Sequence, residues 1–312
     1  MEFNELPSSA VVASRAPSGV NKSTGALADR AAGVYAVRLF SFVALRESAS
    51  VPARVCRIVV SQLADPETVA SLQASLSAAS PCAFSAVVLP PSGWRGVLRN
   101  VPSRDGSAAT EDEYDGTSHA VVVSLRSAQE SSRILVLAGL KYRGNIGTVV
   151  RSAVQSNAFR AIWLIRSEGE GASTASGARG SKADRRGATD DEVNYYSMQN
   201  APLVPVRRFA SAAEFLAAVD IATRRQGVRR RMVAIELGDR AVHLFSRAAA
   251  EALRERNLYV VLGAEDVGTP TAILDRCDAL LEIPSLSASI NVSCAFMAVL
   301  TTMQIVDHSA RP

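Results

Sequence analysis

Histidine and cysteine are scarce in this chain of 312 residues, which holds three of the first and four of the second. The cysteines (Cys56, Cys82, Cys277 and Cys294) lie far apart, with no CxxC pair and no histidine pair nearby. That spacing argues against a zinc site and a disulfide framework, and it suits a reducing compartment. The histidines His119, His243 and His308 are equally scattered, so no metal set is expected. No apolar run approaches the roughly 20 residues needed to span a bilayer, so no membrane partner is expected either. No apolar strand segment leads into G-x-G-x-x-G, which speaks against a nucleotide-dependent oxidoreductase on a Rossmann sheet. Gly169-Glu-Gly171 is no phosphate loop, since neither a third glycine nor Lys-Ser/Thr follows it at the right offset. Neither sign of charge dominates. The net charge of +4 and a pI near 9.0 admit an anionic partner such as nucleic acid without requiring one.

What is present is an ordinary soluble composition, 48% apolar and 21% charged, in a chain long enough for two domains. Residues 1–32 show no periodicity and read as a tail. Between Pro7 and Leu27 there is no acidic residue, and Arg15, Lys22 and many Ser and Ala give the flavour of a transit peptide, a pattern that Glu2 and Glu5 break. A mitochondrial and a cytoplasmic location both stay open, the first slightly preferred.

From Val34 to Leu45 apolar residues recur at helical spacing, and a strand is expected at Arg57–Ser61. A helix opening at Pro66, a strand at Phe84–Leu89, a short helix at Trp94–Leu98 and a strand at Ala120–Leu125 complete a small α/β layer over residues 33–126. A second alternation occupies residues 130–312. Strands are expected at Arg133–Leu137, Ala161–Ile165, Leu203–Val206, Met232–Glu236, Leu258–Leu262 and Ala279–Ile283. Helices are expected at Ile146–Ser156, Ala212–Arg224, Leu244–Glu255 and Asn291–Val306. Continuously apolar strands separated by helices imply a parallel sheet covered on both faces. The Gly-, Ser- and charge-rich stretch from about 166 to 191 reads as an insertion.

Three segments fall at the carboxyl ends of expected strands, where open α/β sheets bind ligands. In Asn145-Ile-Gly147-Thr-Val-Val-Arg151-Ser-Ala153, Asn145 is expected at a helix N-cap, and Gly147 permits a close backbone approach. Arg151 then lies roughly 9 Å further along the axis and offers a planar fork to phosphate or oxyanion. A capped amphipathic helix with a surface arginine would look the same. Gly263-Ala-Glu265-Asp-Val-Gly268 is a tight loop able to grip a purine and ribose through its backbone, or simply a βα turn. Ser289-Ile-Asn291-Val-Ser293 opens the last helix, so Ser289 or Asn291 is either a cap or a polar group closing over a cofactor.

Together and in this order, the segments resemble the three motifs of the SpoU (TrmH-like) family of RNA 2′-O-ribose methyltransferases, in the SPOUT superfamily. The resemblance covers about residues 133 to 308. Val34 to Leu125, ending in Ser118-His119-Ala120-Val-Val, is similar to the L30e-like substrate-binding domain of the rRNA-modifying branch. The resemblance implies a SPOUT-type parallel sheet with a C-terminal trefoil knot, and a homodimer whose subunits both shape each site. It implies S-adenosylmethionine held around Leu262, Gly263, Gly268, Ile283, Ile290 and Ser293. It maps Arg151, Asn145, Glu265, Ser289 and Asn291 onto the family's functional positions, with rRNA as expected substrate and tRNA as second choice. Two positions depart from the pattern. Arg143 stands where a proline is usual, and only Ser285 to Ala288 separate Ile283-Pro284 from Ser289, a shortened loop. These departures motivate an alternative, a SpoU-like RNA-binding assembly factor without turnover.

RNA contacts are expected at Arg143, Arg95 and Arg99 and along Arg224-Arg225 and Arg229-Arg230-Arg231, although a solvated face explains such charges equally well. Trp94 could stack on a base or belong to the core.

Overall fold

The fold was obtained as a computed structural model that describes residues 34–46, 52, 54–79, 84–101, 114, 116–125, 132–166, 188–284 and 290–309. The expected tail, most of the expected insertion, and Ser285 to Ser289 lie outside the described residues.

The first sheet is built from β1 (Tyr35–Ser41), β2 (Val55–Ser61), β3 (Ser85–Leu89) and β4 (His119–Leu125), with helices α1 (Phe42–Arg46), α2 (Pro66–Ala79) and α3 (Pro91–Leu98). Its order is β1-β4-β2-β3. β4 runs antiparallel to both neighbours, and β2 and β3 are parallel. The helix expected over 34–45 is instead β1 followed by one helical turn. Tyr35, Val37 and Leu39 alternate with Ala36 and Arg38, a period of two that crowding by Phe40 and Phe42 disguises. The first three join the large core cluster, whereas Phe40 and Phe42 pack with α2 through Val69, Leu72 and Leu76. Asp65 caps α2 by accepting the Thr68 amide at 2.8 Å. Trp94 is core: it is 2% exposed, and its indole N–H donates to the Tyr114 carbonyl at 3.2 Å.

The second sheet has seven strands: β5 (Ile134–Ala138), β6 (Ala161–Ile165), β7 (Val206–Phe209), β8 (Arg231–Ile235), β9 (Ala241–His243), β10 (Leu258–Gly263) and β11 (Ala279–Glu282). Their order is β7-β6-β5-β10-β8-β11-β9, and every pairing is parallel. Between them lie α4 (Arg143–Ser156), α5 (Asp190–Tyr196), α6 (Ala212–Gln226), α7 (Arg247–Arg254), α8 (Thr271–Leu274) and α9 (Val292–Ser309). The parallel α/β sheet expected from the apolar runs is therefore present. Strand side chains alternate between its two faces. In β10, Leu258, Val260 and Leu262 face the core that holds α4, α7 and α9, while Tyr259 and Val261 face α6 and α8.

The strand expected at 203–206 starts at Val206, because Pro202 sits in a short 3-10 turn, Ala201–Leu203. α5, α8 and β9 were not anticipated. The last two are too short to carry a period. α5 does carry a signal, the Thr189/Glu192 capping box.

The two sheets are tied by partly buried polar contacts. Arg57 on β2 donates to Ser85 Oγ at 3.0 Å and to the carbonyls of Pro202 and Val204 at 2.9 and 2.7 Å. The Asn157 side chain exchanges two hydrogen bonds with the backbone of Tyr35, at 2.9 and 2.6 Å. Within the second unit Arg133, 2% exposed, grips Asp307 through both terminal nitrogens at 2.5 and 2.8 Å. It also donates to the carbonyls of Glu255 and Leu253 at 3.1 and 2.8 Å. A guanidinium at the C-terminal end of α7 complements the exposed carbonyls there. Replacing Arg133 by Ala leaves those carbonyls without donors inside the fold, so a loss of about 3 kcal/mol or more is expected in urea unfolding. Asp307→Asn should cost less, because Asp307 is 42% exposed.

Candidate functional site

The carboxyl ends of β5, β10, β8 and β11 are neighbours in the sheet, so the loops after them meet. The loops after β8, β10 and β11, with the start of α9, enclose a cleft of about 320 Å³, at the lower end of the range for small-molecule sites. Leu262, Gly263, Gly268, Ile283 and Ile290, all expected from sequence to hold a cofactor, line it. Leu281, Val292 and Ala295 add apolar wall, and Glu236, Glu265, Asp266 and Glu282 make it acidic. Gly263 is required by close approach: a Cβ there would stand 2.4 Å from both the Gly268 carbonyl carbon and the Thr269 nitrogen. Its absence lets residues 264–268 fold back into an Ala264–Gly268 bridge.

The three segments are hydrogen-bonded to one another. Asn145 Nδ2 donates to Glu265 Oε1 at 2.5 Å, and Asn291 Nδ2 donates to Asn145 Oδ1 at 3.3 Å. Asn291 Oδ1 in turn accepts the Ser293 amide at 3.0 Å and the Ser293 hydroxyl at 2.5 Å. Asn291 therefore caps α9, one of its two readings from sequence, while its amide group reaches Asn145. Ser293 acts on Asn291 and is not part of the cleft wall. Asn145 is not the N-cap of α4, as expected, but its third residue; the cap position is Tyr142. The helix begins earlier because the chain turns in at Tyr142, which leaves the Asn145 amide aimed across at Glu265. Lys141 donates to Asp266 at 2.6 Å and holds that carboxyl below the usual range.

Arg151 is exposed and lies outside the cleft wall. Six residues beyond Asn145, it is turned by roughly a third of the helix circumference. Among the described residues it makes no hydrogen bond or ion pair. Ser289 lies outside the described residues. Arg143 pairs with Glu192 at 2.9 Å, while Arg95 and Arg99 are exposed on and just after α3 in the first unit. The basic run is largely engaged: Arg229 pairs with Asp278 at 2.9 Å, Arg231 with Glu255 at 3.6 Å, and Arg230 donates to Ser132 Oγ at 3.1 Å.

The family model described as SpoU rRNA Methylase family matches residues 132–301, more than half of the chain. The chain belongs to the SpoU rRNA methylase family. Similar solved structures include the SpoU methyltransferase AviRb from Streptomyces viridochromogenes, 16% identical, covering 88% of this chain and 91% of that one at a TM-score of 0.45. An AdoMet-bound rRNA methyltransferase from Sinorhizobium meliloti is 16% identical over 86% of this chain and 87% of that one, at 0.40. For the TrmH/SpoU tRNA modifying enzyme of A. aeolicus the values are 16%, 58%, 77% and 0.42. No curated protein matches the sequence.

Sequence reasoning missed three carboxylates of this SpoU cleft, Glu236, Asp266 and Glu282. Glu236, just past the end of β8, accepts the Thr269 amide at 2.7 Å through Oε2 and so supports the turn after Gly268. A lone carboxylate ending an apolar parallel strand was the available signal. Gly147, the glycine of the first motif, approaches protein and not the cleft. A Cβ there would lie 2.3–2.6 Å from Cβ, C and O of Tyr196. Because Gly263 meets backbone on its open side, Gly263→Ala should destabilise the SpoU unit by about 1–3 kcal/mol. Amide exchange at Ala264 and Gly268 should quicken; unchanged exchange would show the loop tolerates the methyl group.

Proposed function

We propose that this protein is an S-adenosylmethionine-dependent RNA 2′-O-ribose methyltransferase, acting on rRNA with tRNA as second choice. The observation that carries this reading is the Asn145–Glu265–Asn291 hydrogen-bonded chain on the rim of an apolar and acidic cleft. The cleft suits the cofactor chemically. Leu262, Leu281, Ile283 and Ile290 form a slot for a flat purine, and the four carboxylates offset a cationic sulfonium and an amino group. When bound, the cofactor supplies an electrophilic methyl group. The protein's task is to bring a ribose 2′-oxygen in line and to stabilise the charge that grows on it.

Asn145 is held by Glu265 and Asn291, so it is preorganised to fix the ribose. A guanidinium hardly ever gives up its proton, so Arg151 acts as hydrogen-bond donor to phosphate or 2′-oxyanion and not as base. The homodimer expected from the resemblance belongs to this proposal. Arg151 faces outward, and on the neighbouring α9 the apolar Met297 and Ile305 are exposed one above the other, as a partner helix would require. A threaded C-terminal segment, an L30e-like substrate domain over 33–126, a methyltransferase domain over 130–312, and phosphate contacts by Arg95, Arg99 and Arg143 complete it. The second reading, an RNA-binding assembly factor without turnover, is favoured by one observation: Arg151 stands outside the cleft of its own chain.

Titration with S-adenosylmethionine separates the two, since micromolar binding is expected of the enzyme and none of the factor. Arg151→Ala should lower methyl transfer to rRNA by about 100-fold or more while leaving cofactor affinity unchanged. Transfer at the wild-type rate would remove Arg151 from the mechanism.

A further inference from the structure

The chain has six tyrosines, of which Tyr35 and Tyr259 are buried. The three that are exposed all belong to the packed pair α4 and α5: Tyr142 at 66%, Tyr195 at 69% and Tyr196 at 43%. Tyr142 precedes α4 and Tyr195 and Tyr196 end α5. The Arg143–Glu192 ion pair at 2.9 Å brings the two helices together at this point. Tyr142 adjoins Arg143, and Tyr195 lies one helical turn beyond Glu192 on the same side.

This patch is built, not loose. Tyr196 packs onto Gly147, where no side chain would fit. The turn after it holds two successive left-handed residues, Met198 (φ 55°) and Gln199 (φ 61°), a conformation that persists only where surrounding contacts enforce it. Those contacts are present. Asn100 Nδ2 donates to the Met198 carbonyl at 3.0 Å, the Gln199 amide donates to the Asn194 carbonyl at 2.9 Å, and Asn194 Nδ2 donates to Gln199 Oε1 at 2.5 Å. The Tyr195 and Tyr196 rings meet edge to face at 5.2 Å. Arg151 follows Gly147 by four residues, so its guanidinium stands one turn from the tyrosine pair on the same stripe of α4.

We propose that Tyr142, Tyr195 and Tyr196 form a stacking platform for unpaired RNA bases beside the target nucleotide. The inference rests on the RNA reading above and deepens it by naming what the site accepts: single-stranded RNA, splayed so that bases lie on tyrosine rings while the backbone passes Arg151. Aromatic faces stack on any base, which suits a surface that presents exposed rings and, one helical turn away, a cation. Protein docking at the same patch is the contrary outcome.

The test is fluorescence anisotropy of the full chain with a labelled single-stranded RNA of mixed sequence, about a dozen nucleotides long, and with its duplex. Tyr195→Ala and Tyr142→Ala should each weaken single-strand binding about tenfold and duplex binding little, and Tyr195→Phe should bind within about twofold of wild type because stacking needs no hydroxyl. Thermal unfolding of each variant checks that the fold persists. Alanine variants that bind like wild type would overturn the platform, as would wild-type protein that binds no single-stranded RNA. S-adenosylmethionine titration is run in parallel. If wild type binds cofactor and the tyrosine variants keep RNA affinity, the platform fails and the methyltransferase reading stands. If cofactor binding is absent but the tyrosine variants lose RNA, the enzyme reading fails and the platform stands.

Discussion

The Arg133 guanidinium is the interaction on which this architecture most depends. It enters just before the interior strand β5 and joins the last carbonyls of α7 to Asp307 near the end of α9. At its other end α9 begins with Asn291, which touches Asn145. The last helix is thus held at both ends, by a buried charge network at the back of the sheet and by an amide–amide bond at the cleft. A buried arginine is tolerated there because its donors have partners, a carboxylate and helix-terminal carbonyls. The same completeness makes its removal expensive, most of all at the Leu253 carbonyl, whose hydrogen bond to Arg133 is buried.

The cleft follows from strand adjacency. Parallel pairing sets Leu262 level with Leu137 on one side and Ile235 on the other. All the following loops therefore leave at the same edge. Segments about 120 residues apart, Asn145 and Glu265, come within hydrogen-bonding distance, and Glu236 and Asn291 are drawn into the same rim. Acidic lining with apolar walls is an unusual pairing for a groove in a protein of net positive charge. It suits a small cationic ligand in the cleft, with the polyanion kept to the outer surface.

On that surface the two functional ideas converge. The first-motif helix shows one side, with Asn145, to Glu265 of the cleft wall, and another, with Gly147 and Arg151, to α5 and solvent. One helix can serve both because successive residues turn by about 100°. The first-motif glycine thereby gains a physical purpose: it seats Tyr196 against α4.

Much of this was legible in the chain. Runs such as Ile134–Ala138 and Leu258–Gly263 announced buried parallel strands, and ligand positions at their carboxyl ends followed from a general property of such sheets. Five of the six cofactor positions named from motif resemblance line the cleft. Local pattern failed where tertiary partners decided. Tyr35–Ser41 became a strand because β4 offered it an edge, and Asn145 left its expected cap because α4 began at Arg143. Glu236 carried only its place at a strand end as a signal, and the Arg133 clamp and the tyrosine patch carried none, because each is defined by residues distant in sequence. Periodicity and motif order are properties of neighbours along the chain, and so apolar periodicity determined the fold class while the resemblance of the ordered motifs pointed to the family. Which side chains satisfy one another across the sheet is a property of three-dimensional packing, and only the folded structure decided it.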